Sequence, residues 1–227
     1  MTTATLSARL FTLRQRMAGA ARAAGRRPES VHLIAVSKTF GADAVREAHG
    51  AGQLAFGENY LQEARAKIAA LRDLPLEWHF IGPIQSNKTA DLAAHFSWVH
   101  GVEREKIARR LSEQRPPNLP PLNVCVQVNV SGETSKSGVR PDETLALCTR
   151  VAGLPQLKLR GLMAIPEPHR PDPRAAYKLL RELYEAVRAA GLELDTLSAG
   201  MSDDFESAVA EGATHIRIGT ALFGKRT

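Results

Sequence analysis

Eight short apolar runs, separated by stretches of helical periodicity, constrain the fold of this chain more than any other feature. The runs fall near residues 31–38, 54–58, 78–82, 97–102, 123–130, 158–165, 194–199 and 214–219. Helical patterns occupy 41–50, 60–72, 87–95, 103–114, 141–153, 173–190 and 203–211. A leading helix is predicted near 3–24, where Leu6, Leu10, Leu13 and Met17 recur at helical spacing. Strands joined through helices pair in parallel, and a parallel sheet is covered on both faces, which is why its strands read as nearly continuous apolar runs. Eight such units in 227 residues predict an α/β fold, a single (β/α)8 TIM barrel with an extra N-terminal helix. A doubly wound open sheet is the rival, but it rarely needs eight regular units. Two proline-rich stretches, 115–121 and 166–173, separate no segments of different composition. They read as barrel loops, with residues 1–227 as one domain.

Composition removes several function classes. Hydrophobic residues make up 44% of the chain and charged ones 24%, ordinary for a globular protein with a sizeable core. The formal charge of +6 would permit nucleic-acid binding. Its cations are scattered, however: Arg26-Arg27 and Arg109-Arg110 stand alone, without interleaved aromatics, so the excess reads as solvated surface. No apolar run is long enough for a membrane span or a signal peptide, although the basic, acid-poor start also has the look of a mitochondrial transit peptide. Cys125 and Cys148 lack metal-ligand neighbours and read as free thiols of a reducing cytosol. The seven histidines show no metal-ligand spacing, and no nucleophile-elbow or P-loop pattern is present.

In a barrel of this kind chemistry gathers at the C-terminal ends of the strands, with phosphates usually held after strands seven and eight. Lys38 closes the first predicted strand, on the same side as Ile34 and Val36. At the barrel mouth, partial desolvation would lower its pKa and enlarge its nucleophilic fraction; a solvated lysine at a strand end is the bland alternative. Gly200-Met201-Ser202 closes strand seven, and Ser202 suits a helix N-cap. A phosphate there would take backbone N–H groups and the Ser202 hydroxyl, provided Asp203 and Asp204 turn outward. Strand eight puts His215, Arg217 and Gly219 on one side, and Arg217 in a buried strand requires a partner, a structural carboxylate or an anionic ligand. Gly219-Thr220 then offers close backbone approach and a hydroxyl. An amine beside a phosphate cradle is the equipment that holds pyridoxal 5'-phosphate (PLP) as a Schiff base. Asn59 and Asn87, at the ends of strands two and three, are explained by turn chemistry as well as by ligand contact.

Taken together, several segments resemble the pyridoxal phosphate homeostasis protein family, whose barrel is similar to the N-terminal domain of alanine racemase. They include Ala35-Val36-Ser37-Lys38, Phe56-Gly57-Glu58-Asn59, His79-Phe80-Ile81-Gly82-Pro83-Ile84-Gln85-Ser86-Asn87-Lys88, Ser135-Lys136-Ser137-Gly138, Arg160-Gly161-Leu162-Met163-Ala164-Ile165-Pro166 and Ser198-Ala199-Gly200-Met201-Ser202-Asp203-Asp204. The resemblance covers nearly the whole chain. It implies that Lys38 carries PLP, that Ser202, Gly219 and Thr220 contact the phosphate, and that Arg217 faces the pyridine nitrogen. Val36, Asn59, His79, Met163 and Met201 are the further pocket positions it implies. His100-Gly101-Val102-Glu103-Arg104 departs from the family, which more often has serine then an aspartate.

The resemblance further implies a cytoplasmic, non-catalytic PLP carrier. Its partners are PLP and apo-PLP enzymes as recipients, with no nucleic acid and no membrane, and its state is a monomer or weak dimer. Two other classes remain open at this stage: a weak PLP-dependent amino-acid racemase, and a barrel enzyme that uses Lys38 on sugar carbonyls without PLP. Two-base racemisation needs an acid on the opposite face, which related racemases take from an added β domain. Tyr60, Tyr177 and Tyr184 are the tyrosines available here.

Overall fold

The apolar runs form a parallel sheet that closes on itself in the order β1 to β8, each strand beside the next and β8 paired back to β1. In a computed structural model that describes residues 4–132, 137–167 and 172–224, the strands are β1 (His32–Val36), β2 (Ala55–Glu58), β3 (Glu77–Phe80), β4 (Trp98–Val102), β5 (Leu122–Gln127), β6 (Leu157–Met163), β7 (Thr196–Ser198) and β8 (His215–Ile218). The helices are α1 (Leu6–Ala23), α2 (Ala42–Gly50), α3 (Leu61–Ala70), α4 (Thr89–His95), α5 (Glu105–Gln114), α6 (Thr144–Ala152), α7 (Pro173–Ala189), α8 (Phe205–Ala210) and α9 (Thr220–Phe223). The expected (β/α)8 barrel with an N-terminal helix is therefore the fold, extended by the unforeseen four-residue α9. Part of the second proline-rich stretch (168–171), part of the loop after β5 (133–136) and the ends 1–3 and 225–227 lie outside the described residues.

Strand alternation divides the sequence between two cores. Leu33, Ala35, Phe56, Val124, Leu162, Ile216 and Ile218 point outward and join the buried cluster beneath the helices. The other face fills the barrel with Trp98, Cys125 and Met163, which form a small cluster of their own, and with buried polar groups. The extra helix α1 buries Leu6, Leu10, Leu13, Met17 and Ala21, one stripe at three- and four-residue spacing. It packs on α8, α9 and α2, and Arg9 Nε donates to the Leu222 carbonyl at 2.6 Å, so the leading helix fastens the elements around β8.

Predicted and observed elements differ mainly at their ends. β1 stops at Val36, two residues short of Lys38, because Thr39 takes a left-handed φ of 69° and turns the chain. β5 ends at Gln127 rather than 130, where the chain leaves to form a single bridge between Val128 and Val139. β7 spans three residues instead of six. Short 3-10 turns at Ser86–Lys88 and Pro141–Glu143 precede α4 and α6 and account for their shortened starts.

Candidate functional site at the barrel mouth

The C-terminal ends of the strands enclose a cleft of about 280 Å³. Eight of the sequence-predicted positions line it together: Val36, Lys38, Asn59, Met201, Ser202, Arg217, Gly219 and Thr220. Phe40, Ile81, Ile165 and Gly224 complete the wall and were not anticipated, and Asp203 lines it too, although it was expected to turn outward. Phe40 stacks on Phe223 of α9 with ring centroids 5.0 Å apart, so the overlooked helix also supports one wall. A larger hollow of about 700 Å³ opens at the opposite end, among the first residues of the strands. Its cations are already engaged: Arg160 pairs with Asp195 at 2.7 Å and Arg14 bonds the Gly52 carbonyl at 2.7 Å. The mouth, not this hollow, is where barrels of this type place chemistry.

The two remaining candidates sit deeper in the barrel. Met163 is fully buried against Trp98 and Cys125. His79 is also fully buried, and its ring borders the lower hollow instead of the cleft. Both side chains point inward, but at a level below the cleft floor. Neither is among the residues that line it.

His79 belongs to a hydrogen-bonded column along the barrel axis. Arg217 Nη1 lies 2.7 Å from Ser198 Oγ, Ser198 Oγ 2.9 Å from His100 Nδ1, His100 Nε2 3.0 Å from His79 Nδ1, and His79 Nε2 2.6 Å from Glu77 Oε1. A carboxylate accepts only, so His79 donates from Nε2 and accepts at Nδ1; His100 must then donate from Nε2 and accept from the Ser198 hydroxyl. All donors thus run one way, from Arg217 toward Glu77. Burial holds His100 well below the usual histidine range, and it lowers His79 against the pull of Glu77. His100 is therefore part of the support beneath Arg217. Arg217 also donates from Nη2 to the Ala164 carbonyl at 2.8 Å. Its structural partners are thus a hydroxyl and a carbonyl rather than the carboxylate considered from sequence, and burial depresses its pKa.

The loop after β7 corrects another expectation. Ser202 does not cap α8; Asp204 stands at that position. Asp204 Oδ1 accepts from Met201 N at 2.7 Å and Oδ2 from the Tyr177 hydroxyl at 2.6 Å, which draws this carboxylate away from the cleft. Ser202 Oγ instead accepts from Ala221 N, at 3.4 Å, at the start of α9. Gly200 makes the loop possible: its φ is 94°, and a Cβ there would stand 2.9 Å from Phe205 Cα. Gly219 runs so close to β1 that a Cβ would lie 3.3 Å from the Val36 carbonyl oxygen. Asn59 Oδ1 is buried without a hydrogen-bond partner among the described residues, a polar atom of the cleft left to be satisfied. The three tyrosines of the chain stay out of the cleft wall. Tyr177 is bound to Asp204, Tyr184 donates to the Leu194 carbonyl, and Tyr60 is exposed just before α3.

Residues 9–227 match the family model described as the alanine racemase N-terminal domain. The pyridoxal phosphate homeostasis protein of Pseudomonas aeruginosa is 62% identical over 98% of this chain and 96% of its own. The protein of the same name from Escherichia coli K12 is 51% identical over 96% and 95%. This chain belongs to the pyridoxal phosphate homeostasis protein family. PipY of Synechococcus elongatus, solved with PLP bound, has a similar structure, with a TM-score of 0.86, 40% identity, and coverage of 97% of this chain and all of that one. Alanine racemase of Corynebacterium glutamicum, 20% identical with a TM-score of 0.66, shares the fold, and this chain spans 60% of its length.

Proposed function

We propose that this protein holds PLP covalently on Lys38 and takes part in maintaining the intracellular supply of that cofactor without catalysing a reaction of its own. The observation that carries the reading is the convergence of one lysine, one buried arginine and the Ser202, Gly219 and Thr220 rim on a single small cleft. The residues fit the group: a rim with hydroxyls and close backbone for a phosphate, a buried amide oxygen on Asn59 awaiting a partner, and a half-buried amine at the mouth. Bound there, the cofactor supplies an aldehyde that exchanges its oxygen, as water, for a lysine nitrogen. Lys38 contributes that nitrogen and releases it on hydrolysis, which makes storage reversible.

Arg217 argues for storage over catalysis. A guanidinium donates and does not accept a proton, so opposite a pyridine nitrogen it leaves that nitrogen unprotonated and the ring a poor electron sink. No tyrosine stands in the cleft wall to act as a second base. The whole chain acts as one cofactor-holding unit, in the cytoplasm, as a monomer or weak dimer, with apo-PLP enzymes as recipients. No helix of the described residues is long and apolar enough to cross a membrane.

The test is chemical. Borohydride reduction of the PLP-loaded protein followed by peptide mapping is expected to fix the added mass on Lys38, and Lys38→Ala is expected to abolish it while the fold persists. Adduct on Lys88 instead would overturn the assignment. Incubation with L- and D-amino acids in deuterium oxide, with chiral analysis, is expected to show no inversion at ordinary enzymatic rates, on the order of 1–1000 per second. Rapid inversion would favour the racemase reading.

A further inference from the structure

Behind Lys38 lies a second lysine that the cleft does not use. Lys67, on α3, is 5% exposed, and its ammonium has three partners: the Ser37 carbonyl at 2.6 Å, Glu58 Oε1 at 2.7 Å and Glu63 Oε1 at 2.6 Å. An ammonium has three donors, and all three are engaged. The same carboxylates reach the residues on both sides of Lys38. Glu58 Oε1 accepts the Ser37 hydroxyl at 2.6 Å, and Glu63 Oε1 accepts the Thr39 amide at 2.5 Å. Thr39 is one of only two non-glycine residues with positive φ among the described residues, a conformation that persists where surrounding contacts impose it. Glu58 is fully buried and precedes Asn59, a residue of the cleft wall whose buried amide oxygen has no hydrogen-bond partner among the described residues. One ionic cluster therefore grips the chain before and after Lys38 and the residue before Asn59.

Resting on the reading of Lys38 as the covalent site, we propose that Lys67 is a positioning residue: with Glu58 and Glu63 it sets the Ser37–Lys38–Thr39 backbone so that the Lys38 amine meets the aldehyde. Buried charge clusters are weak stabilisers compared with apolar packing, so a geometric duty explains this one better than stability does. The cluster also keeps Lys67 itself out of the cleft, since each of its N–H groups is committed.

The experiment compares PLP with pyridoxine 5'-phosphate, which has the ring and phosphate but no aldehyde, in the wild type, Lys67→Met and Glu63→Ala. Binding is measured by titration, covalent capture by borohydride fixation and peptide mapping, and folding by thermal unfolding. Lys67→Met is expected to lower capture at Lys38 by about 10- to 100-fold, by analogy with the range reached when the outer partners of metal ligands are removed. Pyridoxine 5'-phosphate binding should change little. Glu63→Ala tests the same point if Lys67→Met does not fold, because Glu63 is partly exposed and its loss leaves the Lys67–Glu58 pair intact. A fall in capture of several-fold is expected, on the same reasoning. Equal losses for both ligands, or unchanged capture in a folded Glu63→Ala protein, would overturn the proposal. Absence of a Lys38 adduct in the wild type would instead remove the covalent reading on which it rests.

Discussion

Ser202 reaches the cleft from the loop after β7 and Thr220 from the first residue of α9, and the Ser202 hydroxyl also accepts an amide at the start of α9. On the proposed reading, both hydroxyls face the ligand phosphate. Ser202→Ala and Thr220→Ala are each expected to weaken PLP retention by about 1–3 kcal/mol, the scale of hydrogen bonds to charged groups. Pyridoxal, which lacks the phosphate, should lose little in either variant. Equal losses for the two ligands, measured by equilibrium dialysis, would show that these residues hold the loops and not the phosphate. Arg217 is a different case, because its guanidinium is buried and bonds Ser198 and Ala164 before any ligand arrives. Its geometry is set by protein partners, so it presents a fixed donor to the cleft.

Among the elements, α1 shows how a segment far from the cleft serves it. The stripe from Leu6 to Ala21 packs on α8, which follows the loop that carries Ser202, and on α9, which begins with Thr220. Leu10 is 1% exposed, and Leu10→Ala is expected to cost about 2–5 kcal/mol of stability, read from the urea midpoint, with the spread set by how far the cavity collapses. Strands and long helices were legible in the sequence because period-two and period-3.6 patterns record what is buried. Lys38, Arg217 and Gly219-Thr220 were legible because a charge or a glycine at the end of an apolar run needs a special reason. What escaped was non-local. The depth of His79 and Met163 depends on strand stagger, which one chain's pattern does not record. Asp204, at the start of α8, bonds Tyr177, 27 residues away in sequence, a partner that no local pattern names. The four residues of α9 are too few to show a period. Lys67 looked like any helical lysine until α3 brought it against the exits of β1 and β2.

At the scale of the whole molecule, the polar axis makes stability depend on pH. Burial depresses His79 and His100, and it drives His215 down to about 3. A histidine kept neutral when folded takes up a proton on unfolding once the pH falls below its ordinary value near 6.5, so the unfolded state then binds more protons. Stability is full above about pH 6.5 and falls on acidification, by at most about 1.4 kcal/mol per pH unit for each such histidine. His100→Gln is expected to flatten the slope of unfolding free energy between pH 6.5 and 5, whatever it does to stability at neutral pH. An unchanged slope in urea titrations at both pH values would show that the axis is not the titrating element. The same closure that shelters these rings also seals both sulfurs, Cys125 inside the barrel and Cys148 on the inner face of α6, each at 0% exposure. Burial pushes the Cys148 thiol up to about 12 and raises Cys125 as well, so little reactive thiolate forms while the wall is intact. Alkylating reagents must wait for the staves to part, which gives the chain an internal clock for opening, and a ligand that binds only the closed form slows that clock in proportion to its occupancy.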